Sequence, residues 1–332
     1  MKKQWQTFIS DQSGAMAVMV ALLLVVLLSA AALGVDYGHM SWVQSELKKA
    51  AEAGALAGAK ALAPYTGAPL TPNWSQAQTA ATQTVLLNRA DTQLLTDCTV
   101  IYGYWSLNSK TPPLQSTAIS PTARDVPAVQ VRIVKSAGHN GGPLQMMFAP
   151  IFGVHTFNMS AQAVAMISFP SGMPVGAVFP LAAAQSIVKT YWNQTPAVSF
   201  KVGSGGSANG QWTSFKVNDQ SASTIQGLIT KGNPTALNLN DNIYIQTGVK
   251  ASNYGDAASH VGQTVVIPLV ASLASGTDPI LGFVAFYIEA ANQAGKYIQG
   301  HFDKSFNITN AMGIGLPPAN SPGTPNPPKL VY

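Results

Sequence analysis

The sequence predicts an α+β protein built in series. A single N-terminal membrane-crossing helix continues into a long stalk helix, followed by a small α+β domain and a β-rich, sandwich- or barrel-like domain. Three observations predict this order. Residues 14–35 are an uncharged apolar run. That run passes without a proline into an Ala-rich, charge-flecked segment that ends at Pro64. Beyond it, apolar–polar alternation of period two takes over from helical spacing in most of the segments that carry any pattern.

Residues 1–13 carry Lys2 and Lys3 and form the cytoplasmic N-terminus. Of the 22 residues from Gly14 to Val35, eleven are Leu or Val, each favouring insertion by about 0.3–0.6 kcal/mol. As a helix the run spans roughly 33 Å, against about 30 Å of hydrocarbon. The positive-inside rule places the N-terminus in the cytoplasm and the body outside it, in a single-pass inner-membrane topology. Trp5 and Phe8 on one side, and Tyr37 and Trp42 on the other, suit the two interfacial belts. Ala30–Ala32 offers a small-residue cleavage site, so a cleaved signal peptide is the alternative. The run is nonetheless longer than the usual 7–15-residue signal core.

Residues 36–63 are the stalk. At four-residue spacing Ala50, Gly54 and Gly58 form one small-residue stripe, and Ala53, Ala57 and Ala61 a second beside it. Such stripes let two helix backbones approach closely. Each glycine costs a helix interior about 1 kcal/mol, so two of them ask for a packing reason. A docking face for a partner helix is one reason; packing on the protein's own body is the other. Pro64 ends the element, and Thr66–Pro72 is a linker.

Three blocks occur in this order: Gly14-Ala-Met-Ala-Val-Met before the apolar run, then Gly34-Val-Asp-Tyr-Gly38, then Val43-Gln-Ser-Glu-Leu-Lys-Lys-Ala-Ala-Glu-Ala-Gly-Ala-Leu-Ala-Gly-Ala59. Together they resemble the TadE/TadG-like proteins, assembly components of bacterial Flp-type, tight-adherence pili. The resemblance implies a membrane-anchored periplasmic part of a pilus or secretion machine with no catalytic role. Its implied partners are the membrane, other pilus-assembly or secretion proteins, and further copies of itself in a homo-oligomer. Pilin-like relatives are cut after a Gly and carry Glu at the fifth mature position. Counted from Gly14 that position is Met19, which favours an unprocessed, TadG-like type.

Residues 64–172 read as the small α+β domain. Ser75–Asp91 is a helix, Val100–Leu107 and Ala128–Val134 are strands, Pro143 opens a short helix to Phe152, and Phe157–Ser168 alternates again. Gly103-Tyr-Trp105 and Ala161–Ala165 extend the same resemblance more weakly. Pro170–Pro174 marks a boundary. Residues 173–312 then hold short strands at Ala197–Val202, Gln211–Val217, Asn242–Lys250, Thr264–Val270 and Ile280–Glu289, with one helix from Ala222 to Thr230. Residues 313–332 form a Pro-rich tail, expected to be extended and solvated.

Only 9% of the residues are charged and the net charge is +5, with three arginines, Arg89, Arg124 and Arg132. No basic cluster follows a groove-like pattern, so nucleic acid is not an expected partner. Cys98 is the single cysteine, which excludes an intramolecular disulfide and a thiolate zinc cluster; it is expected to be a small buried apolar residue. Many TadG-like chains carry a von Willebrand A metal site, and Asp219-Gln-Ser-Ala-Ser223 spells its Asp-x-Ser-x-Ser, with Thr277-Asp278 as a distal pair. The strand before it is amphipathic, so a loop capping the next helix fits better. Gly203–Gly210 reads as a hairpin loop. The five histidines show no metal spacing, and the body holds one glutamate, Glu289, beside turn aspartates such as Asp241 and Asp256. No nucleophile, base and orienting group come together, so neither an enzyme nor a cofactor is expected. The alternative function is an envelope ligand-binding or adhesive module presenting Trp192, Trp212 and Tyr254; an envelope hydrolase ranks below it.

Overall fold

A computed structural model describes residues 13–63, 71–109, 111, 113–122, 124–192, 194–203, 209–219, 221–246, 251–316 and 323–332. The expectations for residues 1–12, most of the 64–72 linker, the middle of the 203–210 loop and residues 317–322 lie outside them.

Helix α1 is continuous over Ser13–Ala61, 49 residues. The large side chains from Met16 to Leu28 are exposed, while beyond them a buried stripe develops. Asp36, Val43, Leu47, Ala50, Ala51, Ala55 and Ala59 follow helical three- and four-residue spacing and are buried, the pattern of a helix with one covered face. Helix α2 spans Trp74–Leu86.

In chain order the longer strands and the finger strands are β1 Thr99–Ser106, β2 Asp125–Lys135, β3 Leu144–Gln145, β4 Thr156–Phe157, β5 Met159–Met166 and β6 Leu181–Ala184. There follow β7 Phe200–Val202, β8 Gly210–Phe215, β9 Asn242–Gln246, β10 Thr264–Val270, β11 Gly276–Asn292, β12 Tyr297–Phe302 and β13 Lys329–Leu330. Helices α3 Gln185–Tyr191, α4 Ala222–Lys231 and α5 Ala251–Asp256 lie among them.

The chain forms two compact units: Met1–Gly54, Thr82–Thr99 and Val131–Ala163 in the first, and Ala55–Ala81, Val100–Gln130 and Val164–Tyr332 in the second. In the first unit Arg89–Ala90 pairs with Gln93–Leu94 across a turn whose Asp91 and Thr92 take φ of 53° and 65°. The predicted helix from Ser75 to Asp91 therefore stops earlier, at Leu86.

The helix expected from Pro143 to Phe152 is not formed. Instead β3 and β4 pair antiparallel, Leu144 with Phe157, as the base of a finger. Its tip is a single 3₁₀ turn, Ala149–Phe152, closed by Gly153 at φ 84°. A helix begun at Pro143 would hold Pro150 in its interior, where the ring collides with the carbonyl four residues back.

In the second unit β7, β12, β11, β9, β8, β6 and β10 form one sheet in that order, and β10 also pairs with β11. The ring β11–β9–β8–β6–β10 is thereby closed into a small barrel, as the barrel-like reading expected, with β12 and β7 as a two-strand extension. The 17-residue β11 makes closure possible: its start pairs with β9, and its later residues pair with both β10 and β12. β6 and β10 run parallel, Leu269 opposite Ala183. Strands β7 and β8 are not ladder partners in this sheet, although Asn209 Nδ2 donates to Lys201 O at 3.0 Å; the middle of the 203–210 loop lies outside the described residues.

Trp192, Trp212 and Tyr254 are at most 2% exposed and belong to the hydrophobic core of the second unit with Phe215, Phe283 and Phe286. They cannot present a ligand surface, which corrects the reading of them as exposed. The tail also differs from expectation. Thr324 is fully buried, its hydroxyl accepts from Ala285 N at 2.7 Å, and β13 pairs with β5. Its prolines predict a solvated tail. Within the described part, however, Thr324, Asn326, Lys329 and Leu330 supply pairing groups, and the Pro325 carbonyl accepts from Ile308 N.

Acid should loosen the second unit. Burial pushes the Asp241 carboxyl up, but Lys216 at 2.6 Å and the Asn238 N–H outweigh it and hold it below 3.8. Burial likewise raises Glu289, and Ser199, His301 and Gln299 together bring it below 4.5. A depressed carboxylate stabilises the fold above its unfolded pKa, and that contribution is lost as pH falls through the folded value. The unfolding midpoint is thus expected to hold from pH 7 to about 4.5 and to fall below it. Asp241→Asn should flatten the fall when melting is followed by circular dichroism.

Candidate functional site

Asp36, the first charged residue after the apolar run, is 3% exposed. Its carboxylate accepts from Met147 N at 2.8 Å, Phe148 N at 3.0 Å and Ala149 N at 2.6 Å. These are the free donors at the start of the 3₁₀ turn, which has no side-chain cap of its own, so Asp36 caps it from another element. Desolvation raises the Asp36 carboxyl, but the three backbone N–H groups and nearby His39 more than offset it, leaving the group below its ordinary 3.8. It is an anion at neutral pH.

One turn on, the same face of α1 carries His39 and then Glu46, at helical spacing. His39 Nε2 lies 3.1 Å from Asp91 Oδ1, and the Asp91 N–H donates to Glu46 Oε2 at 2.8 Å. Asp91 also faces Lys135, whose ammonium is 3.5 Å away and donates to Asn140 O at 3.2 Å. The Lys135 side chain is 2% exposed. Asn140 extends the network by donating to Val134 O and accepting from Thr96 N. The polar groups therefore fasten three segments to the start of the stalk: the finger, the 91–92 turn and the end of β2. The set holds carboxylates, one lysine and one histidine, each tied to another side chain or to backbone N–H groups, so that it holds these segments together as a clamp.

The predicted docking stripe divides by exposure. Ala50, Gly54 and Gly58 are buried, and Ala53, Ala57 and Ala61 are half-buried. Within the second unit a Cβ on Gly58 would stand 2.9 Å from Val129 Cγ1, 3.0 Å from Ala81 Cβ and 3.1 Å from Ala77 O. The small residues of α1 thus meet small residues of α2.

Asp219 serves the helix that follows it, as the capping reading expected. It accepts from Ser221 N at 2.8 Å, and Ser221 Oγ accepts from Thr224 N. Asp278 accepts from Ser272 N. Among the described residues no group of three or more His, Cys, Asp or Glu is placed to hold a metal. Cys98 is half-buried, and burial raises its thiol pKa.

Sequence reasoning passed over the Asp36–Asp91–Lys135 clamp. Its one local signal is Lys135 at the end of β2, buried where Arg132 of the same strand is exposed.

Residues 29–165, two-fifths of the chain, match the family model Tad_C, described as "Putative Tad-like Flp pilus-assembly". No curated protein and no solved structure matches.

Proposed function

We propose that this chain, a Tad-related protein through residues 29–165, is a non-enzymatic, single-pass component of a Tad/Flp-type pilus or related secretion apparatus. The observation that carries the proposal is the union, in one unbroken helix, of an exposed apolar run and the family-matched stalk. The run from Met16 is long and apolar enough to cross a membrane and finds no cover within the fold. In this reading it anchors the protein in the inner membrane with the N-terminus in the cytoplasm, in the unprocessed TadG-like manner, and the barrel unit lies in the periplasm as a scaffold. The stalk stripe Ala50, Gly54, Gly58 with Ala53, Ala57 and Ala61 engages partner helices or further copies, the half-buried alanines offering the accessible part.

Deleting the gene should abolish pili and adherence, and the full-length protein should restore both. Intact piliation in the deletion strain would sink the proposal. Photo-crosslinking from Ala57 and Ala61 in the native cell should capture pilus-assembly proteins.

A further inference from the structure

The first unit presents a concentration of apolar side chains that its own fold leaves uncovered. Met147, Phe148, Ile151, Phe152, Val154 and Phe157 are 39–78% exposed, and all lie on the finger formed by β3, β4 and the 3₁₀ turn. Ile151, within the turn, is the most exposed of them at 78%. No Asp, Glu, Lys or Arg occurs between Lys135 and Lys189, so the finger carries no formal charge apart from any on His155. A monomer's exposed apolar patch of this kind marks a contact surface.

The finger's position says what it contacts. Three hydrogen bonds tie its turn to Asp36, one residue beyond the end of the apolar run. The cover over α1 begins at that level. Exposure is 61–65% from Val26 to Leu28 and 48–49% at Leu33 and Val35, in the last turn of the run. Tyr37 and Trp42 stand out from α1 just past it, 74% and 50% exposed. About 9 Å of helix separates Asp36 from Trp42, comparable with the interfacial layer that flanks the hydrocarbon.

We infer that the 147–157 finger is a second membrane contact, seated in the lipid interface beside the emerging helix. This rests on the anchoring reading above. Asp36 satisfies the turn's backbone donors, so the tip enters the interface with those N–H groups paired, as a low-dielectric layer requires. Phe, Ile and Met supply the apolar contact, and Tyr37 and Trp42 supply the amphipathic ring of the same belt. The clamp through Asp91 and Lys135 then fixes the first unit at a set height and rotation on the bilayer, which a single helix alone cannot do.

Depth measurements on the full chain test this. In a Cys98→Ser background, Ile151→Cys, Leu24→Cys and Ala137→Cys would each be labelled with an environment-sensitive fluorophore. The proteins would be reconstituted in phosphatidylethanolamine/phosphatidylglycerol vesicles, with nitroxides placed shallow or deep on the acyl chains and iodide in the water. The Ile151 label should lose most of its emission to the shallow nitroxide and little to the deep one or to iodide, a depth of roughly 5–10 Å. Leu24 should be quenched by the deep nitroxide and Ala137 only by iodide. If Ile151 behaves as Ala137 does while Leu24 is quenched, the finger inference fails and the anchor stands. Protection of Ile151 from every quencher would place a protein on the finger instead and equally overturn it. A Leu24 label open to iodide would defeat the anchoring reading itself.

Discussion

Asp91→Asn is expected to destabilise the first unit by about 3 kcal/mol, the lower end of the range for breaking a buried ion pair. Asparagine keeps the shape of the side chain and tolerates the left-handed backbone at φ 53°, so the substitution removes charge without adding strain. It leaves the Lys135 ammonium, 2% exposed, with Asn140 O as its neutral partner. An unpaired buried cation costs more than the pair gains, which is why the loss falls on removing one member. The lower end applies because the Asp91 side chain is 24% exposed and water can partly take its place. Lys135→Met in the same chain should therefore recover much of the loss, giving a coupling energy of about 1–3 kcal/mol in a double-mutant cycle. Urea titration of the detergent-solubilised protein measures it. Additive single losses would mean that Lys135 is solvated and that the clamp is held by Asp36 and Glu46 alone.

Periodicity made the long elements legible. The apolar run and stalk announced one helix because neither Pro nor a Gly pair interrupts residues 14–62, and α1 ends at Ala61. β10 was readable to the residue as Thr264–Val270, and α4 from Ala222 was signalled by the Asp219–Ser221 cap. Short elements were not. α3 and α5, of seven and six residues, lack the two turns that a helical period needs before it can be recognised. The finger reads as a helix in sequence because Pro143 suits a helix start locally; only Pro150 and Gly153 argue against it. The aromatics Trp192, Trp212 and Tyr254 carry polar handles, so the sequence allows them a surface role. Tertiary packing buries them, Trp192 against Phe302 and Trp212 against Phe179 and Tyr254, and no local pattern encodes those contacts. The clamp was invisible for a related reason: Asp36, Asp91 and Lys135 are separated by dozens of residues, and each alone reads as an ordinary solvated charge.

Gly58→Leu should be the most disruptive single change in the stalk. The first added carbon already lies 2.9 Å from Val129 Cγ1 and 3.1 Å from the Ala77 carbonyl oxygen. Neither neighbour can give way cheaply, since one is a β-branched side chain with a stiff χ1 and the other is backbone. Overpacking by a methylene costs about 1–3 kcal/mol, so four carbons are expected to cost about 3 kcal/mol or more and to part α1 from α2. Gly58→Ala is a finer measure, because about 1 kcal/mol of helix propensity is regained against the one-carbon clash. It should come out between neutral and about 2 kcal/mol destabilising. Ala57→Leu, on the half-buried neighbouring stripe, separates packing from docking. If partners dock on Ala53, Ala57 and Ala61, the Ala57 variant should melt within a few degrees of the parent yet lose pili when it replaces the native gene. Gly58→Leu should lose both fold and pili. Normal piliation with Ala57→Leu would assign the whole small-residue surface to internal packing and move the search for partner contacts off the stalk.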